Sequence, residues 1–203
     1  MFLTAVCVGY LLGSIPFGYI AGRLGGVDVR ERGSGNIGAT NVLRVLGKRY
    51  GYAVFVADAL KGYLAVRLTT FFASPGNGEV FIFGIVSGFA AVVGHSFPFW
   101  LKFRGGKGVA TAGGACFALV PLPTLVAVMV WGVAFFSFRF VSLASLAAAA
   151  ALPASLWLLS LRDRSLNYLS LAFTTLLAVL VFIRHRDNIV RLLNGTEPRF
   201  GRK

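Results

Sequence analysis

The sequence predicts an all-α integral membrane protein with seven transmembrane helices, and three observations support this fold class. First, 57% of the 203 residues are apolar and 13% are charged, whereas a soluble domain carries about a quarter charged residues. Second, uncharged or nearly uncharged stretches recur at lengths that suit a membrane-crossing helix. Third, Lys and Arg number 20 against 7 Asp and Glu, and membrane proteins concentrate such basic residues in their inside loops. A soluble enzyme and a disordered protein are therefore excluded, and no nucleic-acid partner is expected.

Six apolar stretches follow one another along the chain. They are Met1–Gly22, Gly51–Ala73, Val80–Leu101, Val109–Phe138, Phe140–Leu161 and Ser165–Ile183. The first lacks a basic leader and a cleavage pattern, so we interpret it as a retained span rather than a signal peptide. The fourth has 30 residues, which as one helix would measure about 45 Å against a hydrocarbon core of about 30 Å. Pro121-Leu122-Pro123 interrupts it, which predicts a pair of short helices around Pro121–Pro123.

The distribution of basic residues favours seven spans over six. With seven spans and the N-terminus outside, 16 basic residues fall inside and two, Arg162 and Arg164, fall outside. With six spans, 11 basic residues fall inside and 7 fall outside, which is a much weaker positive-inside bias. The C-terminus, the loop Arg23–Arg49 and the loop Lys102–Gly108 are then cytoplasmic. Since no linker or second domain is visible, we expect a single membrane-embedded domain over 1–203.

The loop before Arg44 has the composition of an anion-binding site. Its candidate residues are Gly33, Ser34, Gly35, Asn36, Gly38, Thr40, Asn41 and Arg44. Glycines allow successive N–H groups to converge on an anion, and the Arg44 guanidinium is a bidentate phosphate donor. A helix starting near Ala39 would add a favourable dipole. The alternative is a flexible glycine-rich loop, but the density of donors favours the anion site. The match to a dinucleotide fingerprint is spurious, because no strand is expected before it.

A second segment runs from His95 to a glycine-rich loop. His95 lies about two turns inside its span, where an ionisable residue is a functional candidate; a polar residue hydrogen-bonded between helices is an equally good interpretation. Lys107 is flanked by Gly105, Gly106 and Gly108, which leave its ammonium unobstructed for a phosphate. Lys102 and Arg104 suit a topological role better. No P-loop motif is present, so nucleotide hydrolysis is not expected.

Two further segments carry ionisable residues. After the last span, His185, Asn188 and Glu197 are candidate polar residues, whereas Arg186 and Arg191 favour a clamp for lipid headgroups. Within the second span, Asp58 and Lys61 lie three residues apart on one helical face. This pair is either a structural ion pair or a support for the substrate site. With so few carboxylates, and with Cys7 and Cys116 far apart, no metal site or disulfide is expected.

Together these segments predict a site for one or two phosphates at a membrane surface. The aspartate cluster of CDP-alcohol phosphotransferases, the H-x4-D acyltransferase box and the G-x-S-x-G elbow are all absent. Five segments carry a recognisable set of motifs: Gly13–Gly18, Gly33–Asn41, Asp58–Gly62, Gly94–Thr111 and Arg184–Ile189, in this order. Through these motifs the chain closely resembles the bacterial acyl-phosphate:glycerol-3-phosphate acyltransferases (the PlsY family). Asp187 stands where that family commonly has glutamate.

The resemblance implies a multi-pass enzyme of the bacterial cytoplasmic (inner) membrane, with its active site facing the cytoplasm. It would acylate glycerol 3-phosphate from acyl phosphate without a cofactor, among membrane lipids, and downstream of an enzyme that makes acyl phosphate from acyl carrier protein. Ser34, Asn36 and Thr40 with the loop amides would bind the acyl-phosphate group. Arg44, Lys107, His185 and Asn188 would bind glycerol 3-phosphate. The base stays open between His95, His185 and the substrate phosphate. The rival hypothesis is a transporter or channel for phosphate or a phosphate ester.

Overall fold

The computed structural model describes residues 1–73, 80–163 and 167–201, and the regular structure within them is helical. The chain divides into two compact units, Met1–Leu119 and Val120–Lys203; a single domain over 1–203 stays a prediction. The first unit holds α1 (Phe2–Ser14), α2 (Phe17–Leu24), α3 (Ala39–Leu46), α4 (Lys48–Phe72), α5 (Val80–Ser96), a 3₁₀ turn (Phe99–Leu101) and α6 (Val109–Leu119). The second holds α7 (Pro121–Phe138), α8 (Val141–Asp163), α9 (Tyr168–Arg184) and α10 (Arg186–Leu193). The count of basic residues given above includes three residues that lie outside the described ones, Arg164, Arg202 and Lys203. It also includes Arg162, whose side chain is not described.

Prolines set two of the helix boundaries. The predicted break in the 30-residue apolar stretch is confirmed, because α6 ends at Leu119 and α7 begins at Pro121. The first apolar stretch, predicted as a retained span, lies within the membrane-length segment Phe2–Leu24, and it is broken where α1 ends at Ser14 and α2 begins at Phe17. Pro16 lies in this break and has no N–H to continue the helical hydrogen bonds.

The helices are those of a membrane protein. In the described part of the chain, four helical segments are long and apolar enough to cross a membrane: Phe2–Leu24, Val80–Leu101, Pro121–Phe138 and Val141–Leu161. The pair α9 and α10, bent by 62°, gives a fifth when the two helices are counted as one span. At 11 residues α6 is only about 16 Å long, and α4 contains several charged residues. Seven spans therefore stay a prediction.

Large apolar side chains cover the outside of these helices. On α7, Met129 is 70% and Phe136 is 74% exposed, and α4 ends in the exposed pair Phe71 and Phe72. Such a surface would be unstable in water but matches the interior of a bilayer, where lipid tails are as apolar as these side chains.

Within the first unit, helices approach each other through glycine. A Cβ atom on Gly13 of α1 would overlap the backbone of Ala91 on α5, and one on Gly62 of α4 would overlap the carbonyl of Thr111 on α6. Small residues at such contacts let helix backbones pack closely where burial from water cannot drive association. These contacts hold α4 and α5, which carry the buried charges described below.

Within the second unit, α7, α8 and α9 pack in sequence. Trp131 of α7 donates to the Ser145 hydroxyl of α8 (3.3 Å), and α9 buries Phe173, Leu177 and Val181. At the far end of α9, His185 forms the bend into α10. The bend places α10 and the C-terminal tail beside the start of α8.

Candidate active site

The loop between α2 and α3 is organised by Asn41 on the first turn of α3. Its Nδ2 donates to the carbonyls of Val29 (2.9 Å) and Arg32 (3.1 Å), and its Oδ1 accepts from the Ser34 amide (2.8 Å). Gly33 has φ +60°, and a Cβ there would overlap Asn41 Oδ1. Asn41 is buried, and these contacts are to the loop itself. Its predicted direct role in substrate binding stays a prediction.

Several loop amides that were expected to bind phosphate donate within the loop instead. The Ser34 amide is bound by Asn41, and the Gly38 amide donates to Asn36 Oδ1 (2.8 Å). The Gly35 amide donates to the Arg32 carbonyl (3.0 Å). The three amides thus donate to two asparagine oxygens and a carbonyl of the loop itself, and an anion-binding nest in this loop stays a prediction.

Four side chains predicted for this site are exposed or partly buried on the same loop and helix. Ser34 and Arg44 are exposed, and Asn36 and Thr40 are partly buried. The helix expected near Ala39 is α3, which begins at that residue, so its N-terminal dipole is available beside these side chains. The described residues before the loop form no strand, in agreement with the dismissal of the dinucleotide fingerprint.

The glycine-rich loop that carries Lys107 is built on the end of α5. The amides of Gly105 and Gly106 donate to the carbonyls of Ser96 (3.1 Å) and His95 (3.0 Å). A Cβ on Gly106 would overlap His95 Nε2, so only glycine allows the loop to lie against the ring. Gly108 has φ +79° and leads into α6. Lys107 is partly buried in this loop, whereas Lys102 and Arg104 are exposed. This difference in burial agrees with the expectation that Lys107 binds phosphate and that Lys102 and Arg104 have a topological role.

Asp58 and Lys61 form the expected ion pair on α4, and the pair also reaches His95. Asp58 Oδ1 lies 2.8 Å from Lys61 Nζ and 3.4 Å from His95 Nδ1. Lys61 Nζ also donates to the Ile15 carbonyl (2.8 Å) at the α1–α2 break. All three side chains are buried. The contacts of Asp58 and Lys61 are thus those of a structural ion pair, and the pair also lies directly beside His95, a candidate site residue.

In the second unit, His185 is buried at the junction of α9 and α10. Its Nδ1 lies 2.8 Å from the Val181 carbonyl oxygen. Because a carbonyl can only accept, Nδ1 carries a proton, and Nε2 is the nitrogen that takes up or releases the second one. Asn188 lies one turn further along α10 and is also buried.

Glu197 joins the C-terminal tail to α8 and α10. Its Oε1 accepts from Ser142 (2.6 Å) and Asn188 (2.6 Å), and its Oε2 accepts from Arg191 Nε (2.8 Å). Burial raises the pKa of the Glu197 carboxyl, but these three donors lower it more, so the pKa lies below its ordinary value. Arg191 donates to Glu197 through Nε while its side chain is 40% exposed, so its lipid-clamp role stays a prediction. Arg186 remains largely exposed, as that interpretation requires.

Three residues near the candidate groups were not found from the sequence. Ser142 donates to Glu197. The hydroxyls of Ser96, next to His95, and of Thr111, at the start of α6, are buried and have no hydrogen-bond partner among the described residues. Serine and threonine are common in membrane helices, so nothing in the sequence separated these three from the others. Among the described residues, no group of three His, Cys, Asp or Glu side chains is arranged to hold a metal.

The fold and the buried charges define a multi-pass helical membrane protein with polar groups at its helix ends. The chain belongs to the glycerol-3-phosphate acyltransferase family, whose model matches residues 3–195. The glycerol-3-phosphate acyltransferase of Hyphomonas neptunium is 48% identical, covering 100% of this chain and 94% of the relative. The glycerol-3-phosphate acyltransferase of Allorhizobium ampelinum is 42% identical, covering 99% of this chain and 93% of the relative.

Solved structures extend this similarity to the fold. The crystal structure of PlsY (YgiH), an integral membrane glycerol 3-phosphate acyltransferase, in its glycerol 3-phosphate form has a TM-score of 0.88 at 41% identity, covering 98% of this chain and 96% of that chain. Its lysophosphatidic acid form has a TM-score of 0.86 at 40% identity, covering 98% and 95%. The family predicted from the motifs is confirmed.

Proposed function

We propose that the protein transfers a fatty acyl group from acyl phosphate to the sn-1 hydroxyl of glycerol 3-phosphate, which gives lysophosphatidic acid and inorganic phosphate. This is the first acylation step of phospholipid synthesis. One observation carries the proposal: over 98% of its length the chain matches an acyltransferase whose structures have a glycerol 3-phosphate form and a lysophosphatidic acid form. Family membership over residues 3–195 supports it further.

The choice of acyl phosphate as donor follows from the chemistry of the candidate residues. An acyl phosphate is already activated, so the glycerol hydroxyl can attack its carbonyl directly and inorganic phosphate leaves. The enzyme then has to position two anions and stabilise charge on the leaving phosphate. Small hydroxyls, amides and the α3 N-terminus suit a compact phosphate. A thioester would leave as a thiolate, for which the loop offers no specific donor, and no H-x4-D base is present.

The residue roles are assigned unit by unit. In the first unit, Ser34, Asn36 and Thr40 bind the acyl-phosphate group, and Arg44 and Lys107 bind the phosphate of glycerol 3-phosphate. Ser34 and Arg44 are exposed and Lys107 is partly buried, so all three side chains can reach a ligand without unfolding their segments. Loop amides contribute less than the sequence suggests, because Asn36 and Asn41 occupy those of Gly38 and Ser34.

In the second unit, His185 and Asn188 bind glycerol 3-phosphate. With Nδ1 donating to the Val181 carbonyl, neutral His185 presents an acceptor at Nε2, which can receive a hydrogen bond from the attacking hydroxyl or take its proton. The phosphate of the substrate and His95 are the other candidates for the base. Asn188 is oriented by its bond to Glu197.

The proposed setting is the bacterial cytoplasmic membrane, with seven spans, the N-terminus outside and the site facing the cytoplasm. The basic residues carry this topology through the positive-inside bias. Acyl phosphate would come from a separate enzyme that acts on acyl carrier protein.

A direct assay tests the activity and the donor together. Purified protein is incubated with glycerol 3-phosphate and either acyl phosphate or acyl-CoA, and the product is identified by mass. We expect lysophosphatidic acid from acyl phosphate alone. Absence of product from both donors would overturn the activity, and rapid acylation from acyl-CoA would overturn the assignment of the Gly33–Asn41 loop.

A further inference from the structure

Asp58 is held in a fixed position inside the first unit. Its Oδ1 contacts Lys61 Nζ at 2.8 Å, and both side chains are only 3% exposed. Lys61 is itself fixed, because its ammonium donates to the Ile15 carbonyl and lies 5.4 Å from the centre of the Phe17 ring. The carboxylate is therefore tied through Lys61 to the break between α1 and α2.

The same carboxylate oxygen faces the imidazole of His95, which is 5% exposed, at 3.4 Å from Nδ1. A carboxylate oxygen only accepts, so this contact favours a proton on His95 Nδ1. The opposite edge of the ring, at Nε2, lies against Gly106, where it leaves no room for a Cβ. His95 thus separates the buried ion pair from the glycine-rich loop.

The loop depends on His95 for its shape as well. The Gly106 amide donates to the His95 carbonyl, and the Gly105 amide donates to the carbonyl of the next residue, Ser96. Both the backbone and the ring of His95 therefore support the two residues that precede Lys107. A rotated ring would enter the space of Gly106 and displace the loop.

We propose that Asp58 is a positioning residue for glycerol 3-phosphate: through His95 it fixes the Gly105–Gly108 loop and so places Lys107 for the substrate phosphate. The inference rests on the proposed function. A lysine binds a phosphate well only when its backbone is correctly placed, and small displacements of a positioning group have large effects. Loss of Asp58 should therefore weaken binding of glycerol 3-phosphate more than it slows the chemical step.

The test removes both charges of the ion pair, because removing one alone would leave the other buried and unpaired. In D58N/K61M we expect the KM for glycerol 3-phosphate to rise about tenfold, with a smaller change in kcat. A second variant, His95→Ala, keeps the ion pair but removes the ring, and should raise KM similarly. Combining the two should give no further rise, because both act through the same loop.

The control is Ser87→Ala on α5. Ser87 is as deeply buried as His95 on the same helix and donates to the Ala65 carbonyl of α4, but it has no described contact with the glycine-rich loop. We expect it to lower thermal stability and leave KM unchanged. If the wild-type protein forms lysophosphatidic acid but D58N/K61M or His95→Ala has the same KM as the wild type, the inference is overturned. Failure of the wild-type protein to form product would instead overturn the proposed function.

Discussion

Replacing Lys107 and Lys102 by alanine in separate variants compares two lysines of one segment, the loop Lys102–Gly108 before α6. Each change removes one positive charge, so the two variants are matched in net charge and nearly matched in position. The structure separates their surroundings. Lys107 is partly buried between glycines that pack on His95, whereas Lys102 is exposed at the end of the 3₁₀ turn.

The expected magnitudes differ for a physical reason. A hydrogen bond from an ammonium to a phosphate contributes about 1.5–3 kcal/mol, with more lost where the phosphate is left unpaired. Since about 1.4 kcal/mol corresponds to a tenfold change in rate, Lys107→Ala should lower activity about 100-fold or more. An exposed charge such as that of Lys102 is screened and contributes at most about 1 kcal/mol. Lys102→Ala should therefore change activity little.

The measurement is the initial rate of lysophosphatidic acid formation from acyl phosphate, at several concentrations of glycerol 3-phosphate. Arg44→Ala should match Lys107→Ala, since Arg44 is the other cation assigned to the substrate phosphate. Equal losses in Lys107→Ala and Lys102→Ala would refute the reasoning, because they would show a nonspecific effect of charge.

Three other predictions address topology, metal dependence and pH. In a cysteine-free background, outside reagent should label a cysteine at Asn77, which lies outside the described residues, but not one at Lys48 or Arg199; labelling at Arg199 with Lys48 protected would mean an even number of spans. Activity should survive exhaustive chelation, because the acidic residues are few and scattered; loss restored by one divalent ion would contradict this. The pKa of Glu197 is lowered in the folded protein from its ordinary value of about 4.5. The ionised carboxylate therefore contributes its full stabilisation of the fold above pH 4.5, and this contribution is lost as the pH falls through the lowered pKa. Thermal melts of Glu197→Gln should accordingly depend less on pH below about 4.5 than those of the wild type, and parallel curves would show that Glu197 does not contribute.

Features that depend on neighbours in the chain could be predicted from sequence. Pro121 lacks the N–H that a continuous helix needs, and the break before it is present. A helix starting near Ala39 was considered from the sequence, and α3 begins at that residue. The spacing of Asp58 and Lys61 predicted an ion pair, because residues three apart share one face of a helix; the pair is formed.

Other features depend on which distant segments meet, and these escaped the sequence. The glycines near Lys107 suggested an unobstructed loop, but Gly106 is required because the ring of His95 occupies the space of a side chain. The side chain of Asn41 donates to the carbonyls of Val29 and Arg32 and accepts from the Ser34 amide, partners that the sequence did not indicate; its direct role in substrate binding stays a prediction. A sequence lists the donors, and only the packed chain shows which acceptors satisfy them.

The sequence by itself determined the membrane class, the family and the inventory of chemical groups, because hydropathy, charge bias and short motifs are local properties of the chain. Tertiary structure alone decided which of those groups act together. It brought Asp58 within reach of His95 and Ser142 to Glu197. The physical reason is that a polar group buried among membrane helices must find its partner inside the protein, and helix packing, not distance along the chain, determines that partner.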